Sequence, residues 1–213
     1  MTYAPTLLDV LARHALRLGT PAVGQAERVE TTAEADVCSA TLVQAQHGQA
    51  DAKAALVREL QDVWYRYALS ILRDPEQAKD AAQETALRFL KGLAGFRGES
   101  RLKTWSLGIA TNVCRERLRK RKKQPLALTP GVDATDHAHG PQQRAELREQ
   151  CDRLLAVLGD LPQRQREAVV LRYFEQLSVK EAAQAMGCAE GTVKATLSQA
   201  IRSLRSRLGV DHG

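Results

Sequence analysis

Residues 177–208 read LSVKEAAQAMGCAEGTVKATLSQAIRSLRSRL, and this stretch decides the fold class of the chain. Ser178 is followed three residues later by Glu181, which is the spacing of a capping box that starts a helix. Gly187 stands where that helix must end, because glycine accepts the positive φ of a helix C-terminus. A second amphipathic helix follows at once. Two short helices joined by a tight turn predict a helix-turn-helix, whose second helix enters the DNA major groove.

The second helix of this motif has one apolar and one polar face. Its apolar residues recur at helical spacing and are Val193, Leu197, Ile201, Leu204 and Leu208. The opposite face carries donors and cations suited to phosphates and base edges, namely Lys194, Thr196, Ser198, Gln199, Arg202 and Arg205. An ordinary amphipathic hairpin with a solvated basic face is the alternative. The capping box, the turn glycine and the stripe together favour DNA binding.

Composition narrows the class of protein. A chain of 213 residues with 44% hydrophobic and only 4% aromatic residues can bury one or two modest, mostly aliphatic cores. The net charge of +6 suggests a polyanionic partner. The four cysteines, Cys38, Cys114, Cys151 and Cys188, form no CxxC pair, which favours reduced thiols in a cytoplasmic protein. No segment reads as a membrane span or a signal peptide.

Periodicity divides the chain into two helical parts. Helical patterns fill residues 36–123, a proline- and glycine-containing linker covers 124–141, and a second helical part spans 142–213; residues 1–35 form a weakly structured leader. Asp74 can cap a helix whose first residue is Pro75, and Ser100 can cap a later one. The predicted inward faces are Leu56, Leu60, Val63, Tyr67 and Ile71, then Ala78, Ala82, Thr85, Phe89 and Leu93, then Leu102, Trp105, Ile109 and Val113. We therefore predict an all-α fold of two small helical domains joined by a flexible linker.

Positive charge is concentrated at the end of the first part. Residues 97–123 hold ten bases against two acids, a local net charge of +8 that exceeds the +6 of the whole chain. Such a block is typical of a surface that tracks phosphates, although cations also favour a helix C-terminus. Phe96, which lies in a loop beside Arg97, is a candidate to stack on an unpaired base, and Asn112 could read one. Trp105 falls on the apolar stripe and is more readily a core residue.

Two segments resemble one known family. Residues 71–84 (ILRDPEQAKDAAQE) and 96–112 (FRGESRLKTWSLGIATN) are similar to region two of bacterial RNA polymerase sigma factors. Residues 161–194 resemble region four of the same proteins, in the expected order and separation. The size and the short linker resemble the extracytoplasmic-function (ECF) group. The resemblance covers about residues 36–208.

The resemblance implies a function without catalysis or cofactor. Such proteins bind core RNA polymerase through the β′ clamp helices and the β flap, direct it to promoter DNA, and are held by an anti-sigma factor. The helix with Asp80, Gln83 and Glu84 would dock on the clamp helices. Residues 96–112 would read and melt the −10 element, and the helix of residues 192–202 would read the −35 element. The expected DNA-binding residues are Phe96, Arg97, Arg101, Lys103, Asn112, Arg115, Arg119, Thr192, Lys194, Thr196, Ser198 and Arg202.

The chain also departs from the family pattern. Ala189 stands where the family usually has a serine N-cap, a loss of about 1 kcal/mol in helix stability. Ala195, Thr196 and Gln199 replace a Ser-Arg pair and an arginine. Weaker or different −35 recognition is the consequence we expect, with Lys194, Arg202 and Arg205 carrying the phosphate contacts.

Two other functions compete with this interpretation. The first is a dimeric helix-turn-helix regulator that acts without sigma activity. The second is a metal-dependent enzyme or sensor using Cys114, His137, His139 and Cys151, but two histidines two residues apart in a linker suit no usual zinc spacing.

Overall fold

The computed structural model describes residues 40–123 and 158–208, and all regular structure within these ranges is helical. The first domain holds helical residues 40–46, α1 (Ala50–Leu72), α2 (Pro75–Gly92), a 3₁₀ turn (Leu93–Gly95) and α3 (Leu102–Lys123). The second domain holds α4 (Gln163–Val169), which runs into a π-helical turn (Val170–Phe174), then α5 (Val179–Met186) and α6 (Glu190–Leu208). These helices confirm the all-α prediction. The predicted leader (1–35) and linker (124–141) lie outside the described residues.

Three predicted helix boundaries are confirmed by their capping bonds. The Asp74 carboxylate accepts a hydrogen bond from the Gln77 amide at 3.1 Å, with proline at the start of α2. Ser178 and Glu181 form both bonds of the capping box, at 2.8 and 3.2 Å. Gly187 ends α5 with φ 63°, in the left-handed region.

The predicted cap at Ser100 is wrong. Helix α3 begins at Leu102, and the carbonyl of Arg101 accepts its first helical bond, from the Trp105 amide at 3.0 Å. Arg101 therefore occupies the N-cap position, which leaves Ser100 one residue too early. The Ser100 hydroxyl donates instead to the Arg101 carbonyl, at 3.4 Å.

Helices α1 and α2 form the core of the first domain, largely as predicted. Of the two predicted stripes, only Val63 and Ala82 are less than fully buried. The stripe missed Trp64, which is fully buried and packs on Phe89 with ring centroids 5.2 Å apart. A hydrogen bond of 2.8 Å joins the hydroxyls of Tyr67 and Thr111 and ties α1 to α3.

Helix α3 is buried on a wider face than the apolar stripe predicted. Leu102, Trp105 and Ile109 are only half-buried, whereas the fully buried residues are Thr104, Ser106, Leu107, Ala110, Thr111, Val113 and Cys114. The reason is that α3 packs on α1 and α2 on one side and on α5 of the second domain on the other. The two helices lie in van der Waals range at Gly108, where a Cβ would lie 3.6 Å from Ala185 Cα.

The second domain is built around the stripe of α6. Val193, Leu197 and Leu204 are buried as predicted, and Ala200 joins them. Leu158 is also buried, ahead of the helix-turn-helix. No helix among the described residues is long and apolar enough to span a membrane.

Candidate functional site

Phe96 lies at the surface end of a row of aromatic rings. Trp64, Phe89, Trp105 and Phe96 follow one another, with centroid separations of 5.2, 5.4 and 4.9 Å. The loop is fixed from the other side by Gln46, whose amide donates to the carbonyls of Leu93 and Phe96 at 3.2 and 2.8 Å. The half-buried ring lines an open cavity of about 320 Å³, beside Arg97 and Trp105. An aromatic ring backed by a rigid row and open on one side can stack on a base.

Helix α3 carries the remaining residues predicted for the first domain. Asn112 is exposed and lines a cleft of about 420 Å³ between α3 and α5, whose far wall is formed by residues 184–187. Arg97 and Arg119 are exposed and form no ion pair with another described residue. Arg119 Nε donates to the carbonyl of Arg115, at 3.4 Å.

Three of the predicted bases are paired with acids of the second domain. Arg101 Nε lies 3.5 Å from Glu181, Lys103 Nζ lies 3.1 Å from Glu175, and Arg115 Nη2 lies 2.6 Å from Glu167. Lys103 also donates to the Glu175 carbonyl at 3.0 Å. The structure thus brings these bases together on the domain interface. No local pattern marks these pairings, since the partners lie 52 or more residues apart in the chain.

The Arg115–Glu167 pair is the most enclosed of the three. The Glu167 side chain is fully buried and that of Arg115 is 17% exposed. Arg115 donates to both carboxylate oxygens of Glu167 and, through Nη1, to the Met186 carbonyl at 3.1 Å. Gln163 donates a further bond of 2.9 Å to Glu167. Such charge-assisted bidentate bonds are among the strongest in proteins.

The outward face of α2 carries the predicted polymerase-binding residues. Asp80 and Gln83 are exposed, and Asp80 lies 3.4 Å from Arg117. Glu84 is half-buried and accepts from Arg88 at 2.8 Å, so it belongs to an ion network inside the domain. The sequence missed Leu87, a large apolar side chain that is 55% exposed. Leu87 lies one helical turn from Gln83, so α2 presents an apolar residue within a polar face.

Arg88 connects α2 to α3 through the same network. Its guanidinium donates two bonds of 2.8 Å to the Glu116 carboxylate, in addition to the bond to Glu84. Those hydrogen bonds lower the pKa of the Glu116 carboxyl below its ordinary value. Glu116 and Arg88 therefore support the fold of the first domain from within.

The second predicted DNA face lies on α6 and is open. Thr192, Lys194, Ser198 and Arg202 are exposed, while Thr196 is half-buried and donates its hydroxyl to the Thr192 carbonyl at 2.7 Å. Lys194, Arg202 and Arg205 form no ion pair with another described residue.

These cations border an open groove of about 780 Å³ between α6 and the π-helical turn. Arg172 and Tyr173 form its opposite wall, and the sequence missed both. Arg172 lies 5.8 Å from the centre of the Tyr173 ring and donates to the Leu177 carbonyl at 3.3 Å. No local pattern marked them, because only packing brings the turn beside α6.

The described residues hold no group of three or more His, Cys, Asp or Glu that could bind a metal ion. Of the residues considered for a metal, His137, His139 and Cys151 lie outside the described ranges. Burial, aided by nearby Glu167, raises the pKa of the Cys114 thiol to about 12. That thiol therefore stays protonated at neutral pH and is a poor ligand. Cys114 and Cys188 are both free thiols.

Comparison with known families matches both halves of the chain. The Sigma-70 region 2 family covers residues 56–124, and the Sigma-70, region 4 family covers residues 151–204. The chain is 34% identical over 145 residues to the ECF RNA polymerase sigma factor EcfG of Rhodopseudomonas palustris, covering 68% of this chain and 78% of that protein. It is also 34% identical over 170 residues to the ECF RNA polymerase sigma factor SigL of Mycobacterium tuberculosis, covering 76% and 93%.

Solved structures share the fold. The sigma factor RpoE of Bartonella quintana, crystallised with the anti-sigma factor NepR, superposes with a TM-score of 0.59 at 25% identity, over 73% of this chain and 97% of that one. CnrH, in complex with the cytosolic domain of CnrY, gives a TM-score of 0.61 at 23% identity, over 81% and 97%. Two family regions in the right order, relatives above 30% identity and this two-domain helical fold lead to one conclusion: the chain belongs to the ECF group of sigma-70 RNA polymerase sigma factors.

Proposed function

We propose that this sigma factor uses the faces of α2, α3 and α6 for three separate tasks in transcription initiation. Helix α2 binds core polymerase, the loop before α3 and its basic face read and open the −10 element, and α6 reads the −35 element. The observation that carries the proposal is the occurrence of both family regions on one chain, each beside a matching surface. The family is not an enzyme class, and the catalysis belongs to the polymerase. In this proposal residues 36–123 and 142–213 are the two functional units.

The polymerase-binding task falls on the exposed side chains of α2. Asp80 and Gln83 supply polar groups, and the exposed Leu87, one helical turn beyond Gln83, supplies an apolar contact. An exposed apolar side chain can fill an apolar pocket of a partner protein. Glu84 contributes at the edge of this face while it holds Arg88. The β′ clamp helices are the proposed partner, and the β flap is the proposed partner of the second domain.

The −10 task combines stacking with phosphate binding. Phe96 offers a ring face, Asn112 an amide, and Arg97, Arg101, Lys103, Arg115 and Arg119 supply cations along one strand. Proteins bind single strands in this way: aromatic side chains stack on the nucleobases, and Arg and Lys side chains contact the phosphates. Because Arg101, Lys103 and Arg115 are paired across the domain interface, this task requires the domains to separate.

The −35 task falls on the exposed face of α6. The residues that face outward or border the groove beside it are Thr192, Lys194, Thr196, Ser198 and Arg202. Arg172, on the far wall of that groove, adds a cation within reach of the same DNA backbone. With few cations on α6 itself, the affinity for the −35 element depends strongly on each one.

The partners follow from the family and its neighbours. The solved complex of the sigma factor RpoE of Bartonella quintana with the anti-sigma factor NepR supports an anti-sigma partner for this chain too. Because core polymerase works in the cytoplasm, we place the active chain there.

In vitro transcription with purified core polymerase tests the proposal. Genomic fragments of the source organism are transcribed with and without the chain, and the 5′ ends of the RNAs are mapped. The chain should produce new start sites that share −35 and −10 elements. A Leu87→Asp variant should lose most of this activity and most of its binding to immobilised core, whereas Lys79→Ala, an exposed residue on the same helix, should keep both. A symmetric footprint on DNA without polymerase, and no new start sites, would contradict the proposal.

A further inference from the structure

The side of α6 that points away from the second domain's core presents a glutamine amide. Four buried residues define the inward side of the helix, namely Val193, Leu197, Ala200 and Leu204. At about 3.6 residues per turn, the opposite side is formed by Ala195, Ser198, Gln199 and Arg202, and all four are exposed. Gln199 lies in the middle of this side, one helical turn after Ala195.

Two cations of α6 lie on a flank of the helix rather than on this outward side. Lys194 and Arg205 border the groove whose opposite wall carries Arg172. Cations in a row beside a reading helix suit the phosphates of one DNA strand. Phosphate contacts fix the position of a helix in the major groove, but they carry no sequence information. The sequence must therefore be read by the uncharged side chains next to them.

Few of those uncharged side chains can tell one base from another. The Thr196 hydroxyl donates to the Thr192 carbonyl at 2.7 Å, so its proton is already used within the helix. The Ser198 hydroxyl can both donate and accept, and it therefore suits several base edges. Gln199 is exposed, and its amide forms no hydrogen bond with another described residue. Its donor and its acceptor are both available to a base.

The chemistry of an amide selects one base in the major groove. A glutamine side chain carries an acceptor oxygen and a donor NH₂ side by side. Adenine presents the N7 acceptor next to the N6 donor, whereas guanine presents two acceptors, cytosine a donor, and thymine an acceptor with a methyl group. Only adenine satisfies both halves of the amide at once.

The neighbour of Gln199 on the outward side suits the same kind of base pair. Ala195 precedes it by four residues, a rise of about 6 Å along the helix, which is roughly two base pairs of duplex at about 3.4 Å each. An exposed alanine methyl can lie against the C5 methyl of thymine. The outward side of α6 thus combines an amide that matches adenine with a methyl that matches thymine.

We infer that Gln199 sets the base specificity of α6: it reads the adenine of an A·T pair in the −35 element through two hydrogen bonds, and Ala195 contacts a thymine methyl about two pairs away. The inference rests on the function proposed above. It assigns the reading of sequence to uncharged side chains, and phosphate binding to Lys194 and Arg205 on the flank.

A promoter library transcribed by the complete polymerase tests this directly. One promoter whose start site depends on the chain is chosen, and each base pair of its −35 element is replaced by the three others. The pool is transcribed with core polymerase and the full chain, and barcoded RNAs are counted. With the parent chain, one position should favour A·T by about 5- to 150-fold over the other pairs. Gln199→Ala should abolish that preference and leave the preferences at other positions unchanged.

A change of specificity guards against variants that merely fail to fold. Gln199→Arg should move the preference at the same position from A·T to G·C, because arginine donates two hydrogen bonds to O6 and N7 of guanine. Gln61→Ala, which removes an exposed glutamine from α1, is the matched control and should change nothing. Parental preferences in both Gln199 variants would overturn the inference. An equal loss on every promoter of the pool would do the same, because it would place Gln199 on a phosphate.

The parent chain separates this inference from the proposed function. If the parent and core polymerase give no promoter-dependent transcripts, the proposed function fails, and the reading of adenine fails with it. If transcripts appear and depend on the −35 sequence, but the Gln199 variants retain the parental preferences, the inference fails alone. Far-ultraviolet circular dichroism should show the same helix content in each variant as in the parent, since Gln199 is exposed and alanine and arginine both favour helices.

Discussion

The two DNA faces of the molecule differ in what the fold leaves available. On α3, the bases Arg101, Lys103 and Arg115 are paired with glutamates of the other domain. On α6, Lys194 and Arg202 are exposed and form no ion pair with another described residue. The α3 face, which carries more positive charge in the sequence, therefore has more of its cations paired with carboxylates than the α6 face has. Local charge density indicates where a polyanion binds, but long-range pairing decides whether that face is free.

Loss of the Phe96 ring should produce the largest change on the first face. Base stacking on an aromatic side chain contributes about 1–3 kcal/mol, so Phe96→Ala should lower open-complex formation roughly 5- to 150-fold. Permanganate footprinting of promoter thymines measures this step. Phe96→Tyr keeps the ring and its contact with Trp105, and should retain most of the activity.

Phe96→Ala also tests whether the two faces bind DNA separately. Duplex binding through α6 should be unaffected in Phe96→Ala, because Phe96 and α6 lie in different domains. A parallel loss of −35 duplex binding in a gel shift would show that the two faces do not act separately.

Lys194→Ala should give the next largest change, confined to the second face. If Lys194 contacts one phosphate, its loss should flatten the slope of log affinity against log salt for −35 duplex by about 0.9. Gel shifts with a −35 duplex at several salt concentrations measure it. Lys79→Ala removes the same charge from α2 and is the matched control. An unchanged slope would remove Lys194 from the −35 contacts.

The contrast between the faces also marks the limit of inference from sequence. Capping at Asp74 and Ser178, the turn at Gly187 and the stripe of α6 were all predictable, because each depends on residues within one or two turns. The glutamate partners of α3 were not, since Arg115 and Glu167 are 52 residues apart and no periodicity links them. The wide buried face of α3 was missed for the same reason: its second neighbour, α5, belongs to the other domain.

An intermediate effect is expected at the start of α6, where Ala189 supplies no side-chain cap. The Ala189 carbonyl already accepts from the amides of Thr192 and Val193, at 3.0 and 3.2 Å, so the backbone is in place for a capping serine. Ala189→Ser should stabilise the second domain by about 1 kcal/mol, which raises its Tm by roughly 4–8 °C. Ser178→Ala, at the capped start of α5, should lower stability by a similar amount. Thermal unfolding followed by circular dichroism measures both, and no gain from Ala189→Ser would show that α6 is not limited by its cap.

The smallest effect concerns an ion pair that lies within the first domain and therefore survives domain separation. The hydrogen bonds from Arg88 lower the pKa of Glu116 below the ordinary value of 4.5. A carboxyl whose pKa is lower in the folded state stabilises that state above pH 4.5, and loses this contribution as the pH falls through its lowered pKa. Since both side chains are more than a third exposed, Glu116→Gln should cost only about 0.2–1 kcal/mol at pH 7. In urea unfolding the cost should shrink as the pH is lowered below 4.5, and a cost that stays constant would mean that Glu116 acts by packing rather than by charge.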